Sequence, residues 1–562
     1  MENENKHKNS PEAVYCLNTE LSKKSFIAFI LNMPDNSDSD SDELKSNKSF
    51  NILCEIFLAI ENSLTVVVEE NYVDRIYRDS YYFYYSGKHS DYNRFCRRIC
   101  LFKGELENFD SLSEDDLEKS FIGSVIIRPL PGQNIGRTLL NPKYFRYCSK
   151  DAYIRLADGY GIYNITVYGK RLHVPAFPFS MQDGETTSCA EITILNLSDY
   201  FSQKYPDYHL LLPSDINKIA EENSFERRIP TTGLSYELIS KILCEAGFYP
   251  RIYAAKKMEK SKFRRILHYY ITSGIPIALG LKGSEDSRHS VIVTGYFHSD
   301  EEKDGILNKR HCILPAREKE TLWFCDSADT VTRYCIMDDQ KRPYCPEEIL
   351  SDNIKKSREH SSREALFLVD NDSYYKSKYE IEYMLVPLSK KMYLEAADAY
   401  DISLNILANT KSFLSDDAKD TMKRNSNIDG DKIGTKDKPF VIRMFMASVR
   451  SFIRERNIQF MSSGKNSDAR KLYTRTAFPR FIWVCEISTR ELYKNNLVLG
   501  EIIIDATSSP DEKLNSFIFI HCPGFMHFRN HDTPANEKSE FAILSDWAPY
   551  PCFNKNLTHI NT

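Results

Sequence analysis

The chain has no uninterrupted apolar stretch of about 18 residues, the least that a membrane-crossing helix needs. Its first residues, Met1 to Pro11, are polar and charged, with no apolar segment of signal-peptide length. Neither membrane insertion nor secretion is expected, and the location expected is cytoplasmic. A block of basic residues is also missing: 74 Lys and Arg are interspersed with 79 Asp and Glu, for a formal net charge of −5. Binding that works by neutralising phosphates needs a concentrated basic surface, so no nucleic-acid partner is expected. Paired cysteine spacings are lacking as well. The 14 cysteines are scattered, mostly beside apolar or aromatic residues (Cys54, Cys148, Cys325, Cys485), as buried thiols in a reducing compartment would be. Cys96 and Cys100 flank two arginines and read as two thiols on a helix face rather than half a zinc site. No repeat of 20 to 50 residues is present, which excludes a solenoid.

What is present is an ordinary globular composition, 42% hydrophobic and 27% charged, in a chain of 562 residues. That length exceeds the size at which one core stops growing. Five stretches are expected: a flexible segment at 1–49 with the acidic linker DNSDSDSDELKSNKS, an N-terminal α/β unit at 50–170, a core at 171–340, a connecting region at 341–374, and a C-terminal α/β unit at 375–562. The polar run KKSREHSSRE marks the last joint, and SDDAKDTMKRNSNIDGDKIGTKDK divides the C-terminal unit internally. FIGSVIIR (121–128) reads as a strand.

Periodicity is clearest in the core. In SCAEITILNLSDYFSQK, Ala190, Ile194, Leu197 and Phe201 form one helical stripe, with Thr187 or Ser188 as the cap. Two more helices follow, SYELISKILCEAG and KFRRILHYYITSG, each ending at a glycine, Gly247 and Gly274, where a C-terminal cap is expected. IPIALGL (275–281), HSVIVTGYF (289–297) and TLWFCDS (321–327) then read as strands, which makes the unit α+β.

Cys189 stands at the start of the first of these helices. Unpaired N–H groups and the positive end of the helix dipole favour a thiolate at such a place, and a thiolate is the nucleophilic form. Gln182, seven residues upstream, offers an amide to an oxyanion, together with the backbone N–H of Cys189. His289 opens a strand 100 residues further on and is the candidate base. Asp326, 37 residues beyond it, ends the next strand and is the candidate for orienting the histidine. Asp329 is the alternative for that role, and Asp183, beside Gln182, caps or braces the loop.

The stretches PFSMQDGETTSCAEITI, ITSGIPIALGL, RHSVIVTGY and LWFCDSAD resemble papain-like cysteine proteases related to bacteriocin-leader peptidases, and more closely uncharacterised bacterial proteins with such a core. NYVDRIYRDSYYFYY, FIGSVIIRPLPGQNIGRTLL and VLGEIIIDATSS extend the likeness over most of 65–510. The resemblance implies an α+β papain-like core, a nucleophile-bearing helix packed on an antiparallel sheet. It implies a hydrolase that cleaves a peptide or isopeptide bond in a protein or peptide substrate through Cys189, His289, Asp326 and Gln182, with no cofactor or metal. Transglutaminase-like acyl transfer uses the same groups, and a catalytically silent scaffold that binds a protein partner is the reading from a different class.

Other motifs carry less. RPLPGQNIGRTLL matches no phosphate-binding fingerprint and reads as a turn. NSNIDGDKIGTKDK lacks the final glutamate of a calcium loop. HCPGFMHFRNH gathers His521, Cys522, His527 and His531, with a helix-like spacing of the last two but no glutamate between them for a metallohydrolase. Asp338 and Asp339, and the arginine pairs at 97–98, 227–228 and 264–265, read as solvated surface.

Overall fold

A computed structural model of the chain describes residues 12–33, 46–60, 63–145, 155–225, 227–231, 233–283, 287–298, 310–313, 321–355, 362–370, 377–409, 415–426, 428, 433–509, 511, 515–529 and 539–561. The fold is mixed α+β with several sheets, antiparallel but for one strand pair. Among the described residues, no helix is long and apolar enough to cross a membrane. The linker residues 34–45 lie outside the described residues.

In the N-terminal unit five antiparallel strands lie side by side in chain order: β1 (Glu12–Leu17), β2 (Leu64–Tyr72), β3 (Cys96–Lys103), β4 (Phe121–Ile127) and β5 (Ile135–Leu140). Helices α1 (Glu20–Ile30) and α2 (Lys48–Ala59) pack together, so part of the stretch expected to be flexible is ordered. Helix α3 (Arg75–Phe83) is capped by Asp74, whose carboxylate accepts the N–H of Tyr77 at 2.9 Å. Cys96 and Cys100 lie on β3, not on a helix; both are buried, and four residues apart on a strand they share a face.

The chain then passes through β6 (Arg155–Asp158) and the hairpin β7 (Gly161–Val167) and β8 (Lys170–Ala176). Helices α4 (Cys189–Lys204), α5 (Pro213–Glu222) and α6 (Tyr236–Glu245) follow, then β9 (Arg251–Ala254) and α7 (Lys260–Thr272). The predicted stripe Ala190, Ile194, Leu197, Phe201 is buried along α4. Gly247 and Gly274 follow α6 and α7 with φ of 94° and 74°, the left-handed conformation that stops a helix.

Next come β10 (Ile277–Lys282), β11 (Arg288–His298), β12 (His311–Ile313), β13 (Leu322–Asp326), β14 (Arg333–Met337), β15 (Cys345–Lys355), β16 (Ser362–Val369) and β17 (Lys378–Val386). Six of these close on themselves in the order β10-β17-β16-β15-β14-β11, with β11 pairing back to β10 through Leu281↔His289 and Ile277↔Val293. The ring therefore runs to Val386, past the boundary expected at 340. Much of the region expected to connect, 341–374, is the β15–β16 pair; residues 356–361 and 371–376 lie outside the described residues.

Strands β12 and β13 leave the ring for the C-terminal sheet. There β13 runs parallel to β18 (Phe440–Ser448), and the order continues through β19 (Phe481–Thr489), with the short β20 (Leu497–Val498) beside it, to β21 (Gly500–Asp505), β22 (Phe517–Cys522), β23 (Phe525–Arg529) and β24 (Ser539–Ile543). β20 pairs with β25 (Tyr550–Pro551), and β26 (Thr558–Asn561) returns to β6. Helix α7 packs against both the ring and the C-terminal sheet, which explains why His268 to Thr272 are buried without interruption rather than along one stripe. Its Tyr270 ring lies 5.6 Å from Trp483 of β19.

Candidate active site

The loop before α4 is shaped by Asp183. Its Oδ1 accepts the backbone N–H groups of Glu185, Thr186 and Thr187 at 2.9, 2.8 and 2.8 Å, with Gly184 at φ 76°, and this turn delivers the chain to the start of the helix. The N-terminal unit braces the same loop. Arg128, buried just after β4, donates Nη2–H to the carbonyls of Met181 at 3.0 Å and Gln182 at 3.5 Å. Tyr84 donates to the Glu185 carboxylate, and Lys88 Nζ lies 3.2 Å from it. Asn217 of α5 donates to the Thr186 carbonyl at 2.9 Å.

Ser188 caps α4, its N–H donating at 3.0 Å to Glu191, whose other oxygen accepts from Thr231 Oγ1 at 2.7 Å. Cys189 is the first helical residue and half-buried. One turn on, Thr193 Oγ1 hydrogen-bonds both the Cys189 carbonyl at 2.8 Å and Ser290 Oγ at 3.0 Å, tying the head of α4 to β11 beside His289.

The structure brings Cys189 and His289 together: both line one cleft, and the thiol contributes to raising the pKa of the imidazole. The third group is Asp338. His289 Nε2 lies 2.8 Å from Asp338 Oδ1 and 3.8 Å from Asp339 Oδ1, and all three side chains are buried. These aspartates directly follow β14, the neighbour of β11 in the ring, so they are not the solvated surface expected of them. Asp338 Oδ1 also accepts the N–H of Gln340 at 2.9 Å.

Asp326, the expected partner of His289, is elsewhere. Its strand, β13, belongs to the C-terminal sheet, and its carboxylate accepts from Tyr269 and from the N–H of Ala328 and lies 3.6 Å from Arg265. The alternative, Asp329, pairs with Arg265 at 2.8 Å and His311 at 2.9 Å. Arg265 and Arg98 are thus paired internally rather than solvated; Arg98 is bound to Glu69. Gln182 is half-buried and is not among the residues lining the cleft; its backbone N–H faces Asp339 and its carbonyl faces Arg128.

Burial pushes the His289 pKa down, but the charge and hydrogen bond of Asp338, the Cys189 thiol and the charge of Asp339 outweigh it and hold the pKa well above the usual histidine value. Burial likewise raises Asp338, yet the facing imidazole, Lys341 and the Gln340 N–H bring it below the usual range. Asp339 is raised to about 7 by burial and by Asp338. Neither oxygen of Asp339 makes a hydrogen bond of normal geometry. Asp326, in its own cluster, is pushed up to about 6 by burial.

Cys189 and His289 open onto a cleft of about 870 Å³, whose walls include Gly233, Tyr236, Gly280, Arg288 and Tyr383. The thiol, the imidazole and an accessible space therefore share one cleft.

Among the described residues, His521 and His527 form no such group. They lie on a β-hairpin: His521 on β22 stacks on Tyr550 and hydrogen-bonds Tyr473, whereas His527 on β23 stacks on Phe541. His531 lies outside the described residues.

Sequence reasoning missed Asp338, Asp339 and Arg128. The signal for the aspartates was present in RYCIMDD, an apolar β-rich run ending in two carboxylates, as TLWFCD ends in one. The chain matches no protein-family model, and no curated protein is significantly similar to it.

Proposed function

We propose that this protein is a papain-like cysteine hydrolase that cleaves a peptide or isopeptide bond, with Cys189 as nucleophile, His289 as acid and base, and Asp338 as the group orienting the histidine. The observation that carries this reading is the continuous chain of contacts from the helix-start thiol to the imidazole to a buried carboxylate, opening on a cleft.

In this mechanism Cys189 Sγ attacks the carbonyl carbon, and its proton resides on His289. The tetrahedral oxyanion is met by the N–H of Cys189 at the start of α4. The C–N bond then breaks as His289 protonates the leaving amine, leaving a thioester on Cys189. Water attacks that thioester, its proton passes to His289, and the carboxylic acid and free thiol are released. Asp338 supports both halves, since it binds the imidazolium and fixes which ring nitrogen faces the sulfur.

Titration with a thiol-reactive peptide electrophile, followed by mass mapping, tests the reading. One equivalent bound at Cys189, and loss of that reaction in His289→Ala, is the expected result. Labelling spread over other thiols while Cys189 stays unmodified would refute it.

A further inference from the structure

His289, Asp338 and Asp339 each offer one ligand atom, and these atoms all lie within 4.8 Å of one another. We propose that this group is also a binding site for a first-row divalent cation, zinc above all, and that the cation held there removes the catalytic base. Metal binding stands on the geometry alone; its inhibitory consequence rests on the function proposed above.

The argument begins with Asp339. Its side chain is 3% exposed, and neither carboxylate oxygen has a hydrogen-bonding partner of normal geometry. A buried carboxylate left in this way calls for a proton, a water or a cation. Lys341, whose charge acts on the neighbouring Asp338, is itself held by Glu347 at 2.8 Å and Asp370 at 2.7 Å, and Lys48, whose charge acts on Asp339, is exposed. Asp338 and Asp339 place two carboxylates 2.8 and 3.8 Å from the imidazole nitrogen, a charge that a divalent cation matches.

The donor set fits the metal class. One imidazole nitrogen with two carboxylate oxygens suits borderline cations, and it leaves a tetrahedral position for water. Bonds of about 2.0–2.1 Å place tetrahedral ligand atoms about 3.3 Å apart. The observed separations from His289 Nε2, 2.8 Å to Asp338 and 3.8 Å to Asp339, bracket that value, so small side-chain rotations suffice. Coordination would occupy the Nε2 lone pair in place of its proton. The imidazole could then no longer be protonated at both nitrogens while the metal is bound, and that doubly protonated state is the one the reaction requires after Cys189 gives up its proton.

The test uses full-length Cys189→Ala protein, which removes the thiol as a competing ligand, freed of metal with chelator and titrated with Zn²⁺ or Co²⁺. One cation per chain, a rise in melting temperature of several degrees at saturating Zn²⁺ and visible Co²⁺ absorption that Zn²⁺ displaces are expected. Asp339→Asn in the same background should weaken binding at least tenfold; circular dichroism verifies its fold, and the Co²⁺ spectrum of the parent stands as the second measurement should the variant fail to fold. Absence of saturable binding, or binding unchanged by Asp339→Asn, overturns the proposal. Because melting and absorption do not depend on turnover, an inactive protein that binds zinc would sink the hydrolase reading alone, and an active one that does not would sink this site alone.

Discussion

Asp326 ends β13 and Asp338 directly follows β14, one strand later in the chain, and each is a buried carboxylate beside a buried cationic or polar partner. Asp326 points into the cluster between α7 and the C-terminal sheet, where Tyr269 and Arg265 meet it, and burial keeps its pKa raised. Asp338 faces His289 in the ring, and its pKa is lowered. The difference lies in sheet membership: β13 lies beside β18 and β14 lies beside β11. One carboxylate therefore welds two units together, and the other faces the candidate catalytic pair.

The largest expected effect separates them by turnover. Asp338→Asn keeps the shape but loses the charge that orients and stabilises the imidazolium, and kcat should fall by about 10³–10⁴. Asp326→Asn should leave kcat within about twofold. Steady-state kinetics on a peptide substrate built on the sequence of the electrophile that labels Cys189 compares the two directly.

Next in size is Arg265→Met. It strips Asp329 of its guanidinium partner and leaves Asp326 beside a neutral side chain, a loss of about 3–5 kcal/mol of stability in urea unfolding with little change in turnover per folded molecule. The equivalent stability loss from Asp338→Asn should be smaller, since Asn keeps the Gln340 contact.

The two aspartates also predict opposite pH slopes. Asp326, raised to about 6 from an unfolded value of about 3.9, contributes stability that is fully present below pH 3.9 and lost as pH rises through 6, at most about 3 kcal/mol. Asp338 is lowered, so its contribution is present above the unfolded value and lost as pH falls through its folded value. Urea midpoints between pH 3 and 8 should show Asp326→Asn flattening the decline from 4 to 6 and Asp338→Asn flattening the loss at the acid end. Smallest of all, Tyr269→Phe removes one hydrogen bond to Asp326 and should cost about 1–3 kcal/mol, with kcat unchanged.

Much of the local structure was legible. The stripe on α4, the stops at Gly247 and Gly274, and the strands at 121–127, 277–282, 288–298 and 322–326 follow from periodicity and capping. The thiol and the histidine were legible too, because a helix start and a strand start are local features. The carboxylate was not, because which strand lies beside β11 is set by pairing across the ring, and TLWFCD and RYCIMDD look alike as isolated runs. Cys96–Cys100 was misread as helical because a spacing of four residues does not distinguish a helix from a strand stabilised by distant partners. Arg128 was invisible for the same reason: its targets, Met181 and Gln182, lie more than fifty residues away.

The account is tested most directly by the rate at which iodoacetamide alkylates Cys189 near neutral pH in three proteins, the unsubstituted chain, Asp338→Asn and Asp326→Asn. Cys189 should be the fastest-reacting thiol in the unsubstituted chain, at least tenfold slower in Asp338→Asn and unchanged in Asp326→Asn. A Cys189 that stays unlabelled while other thiols react, or one slowed by Asp326→Asn and not by Asp338→Asn, would contradict it.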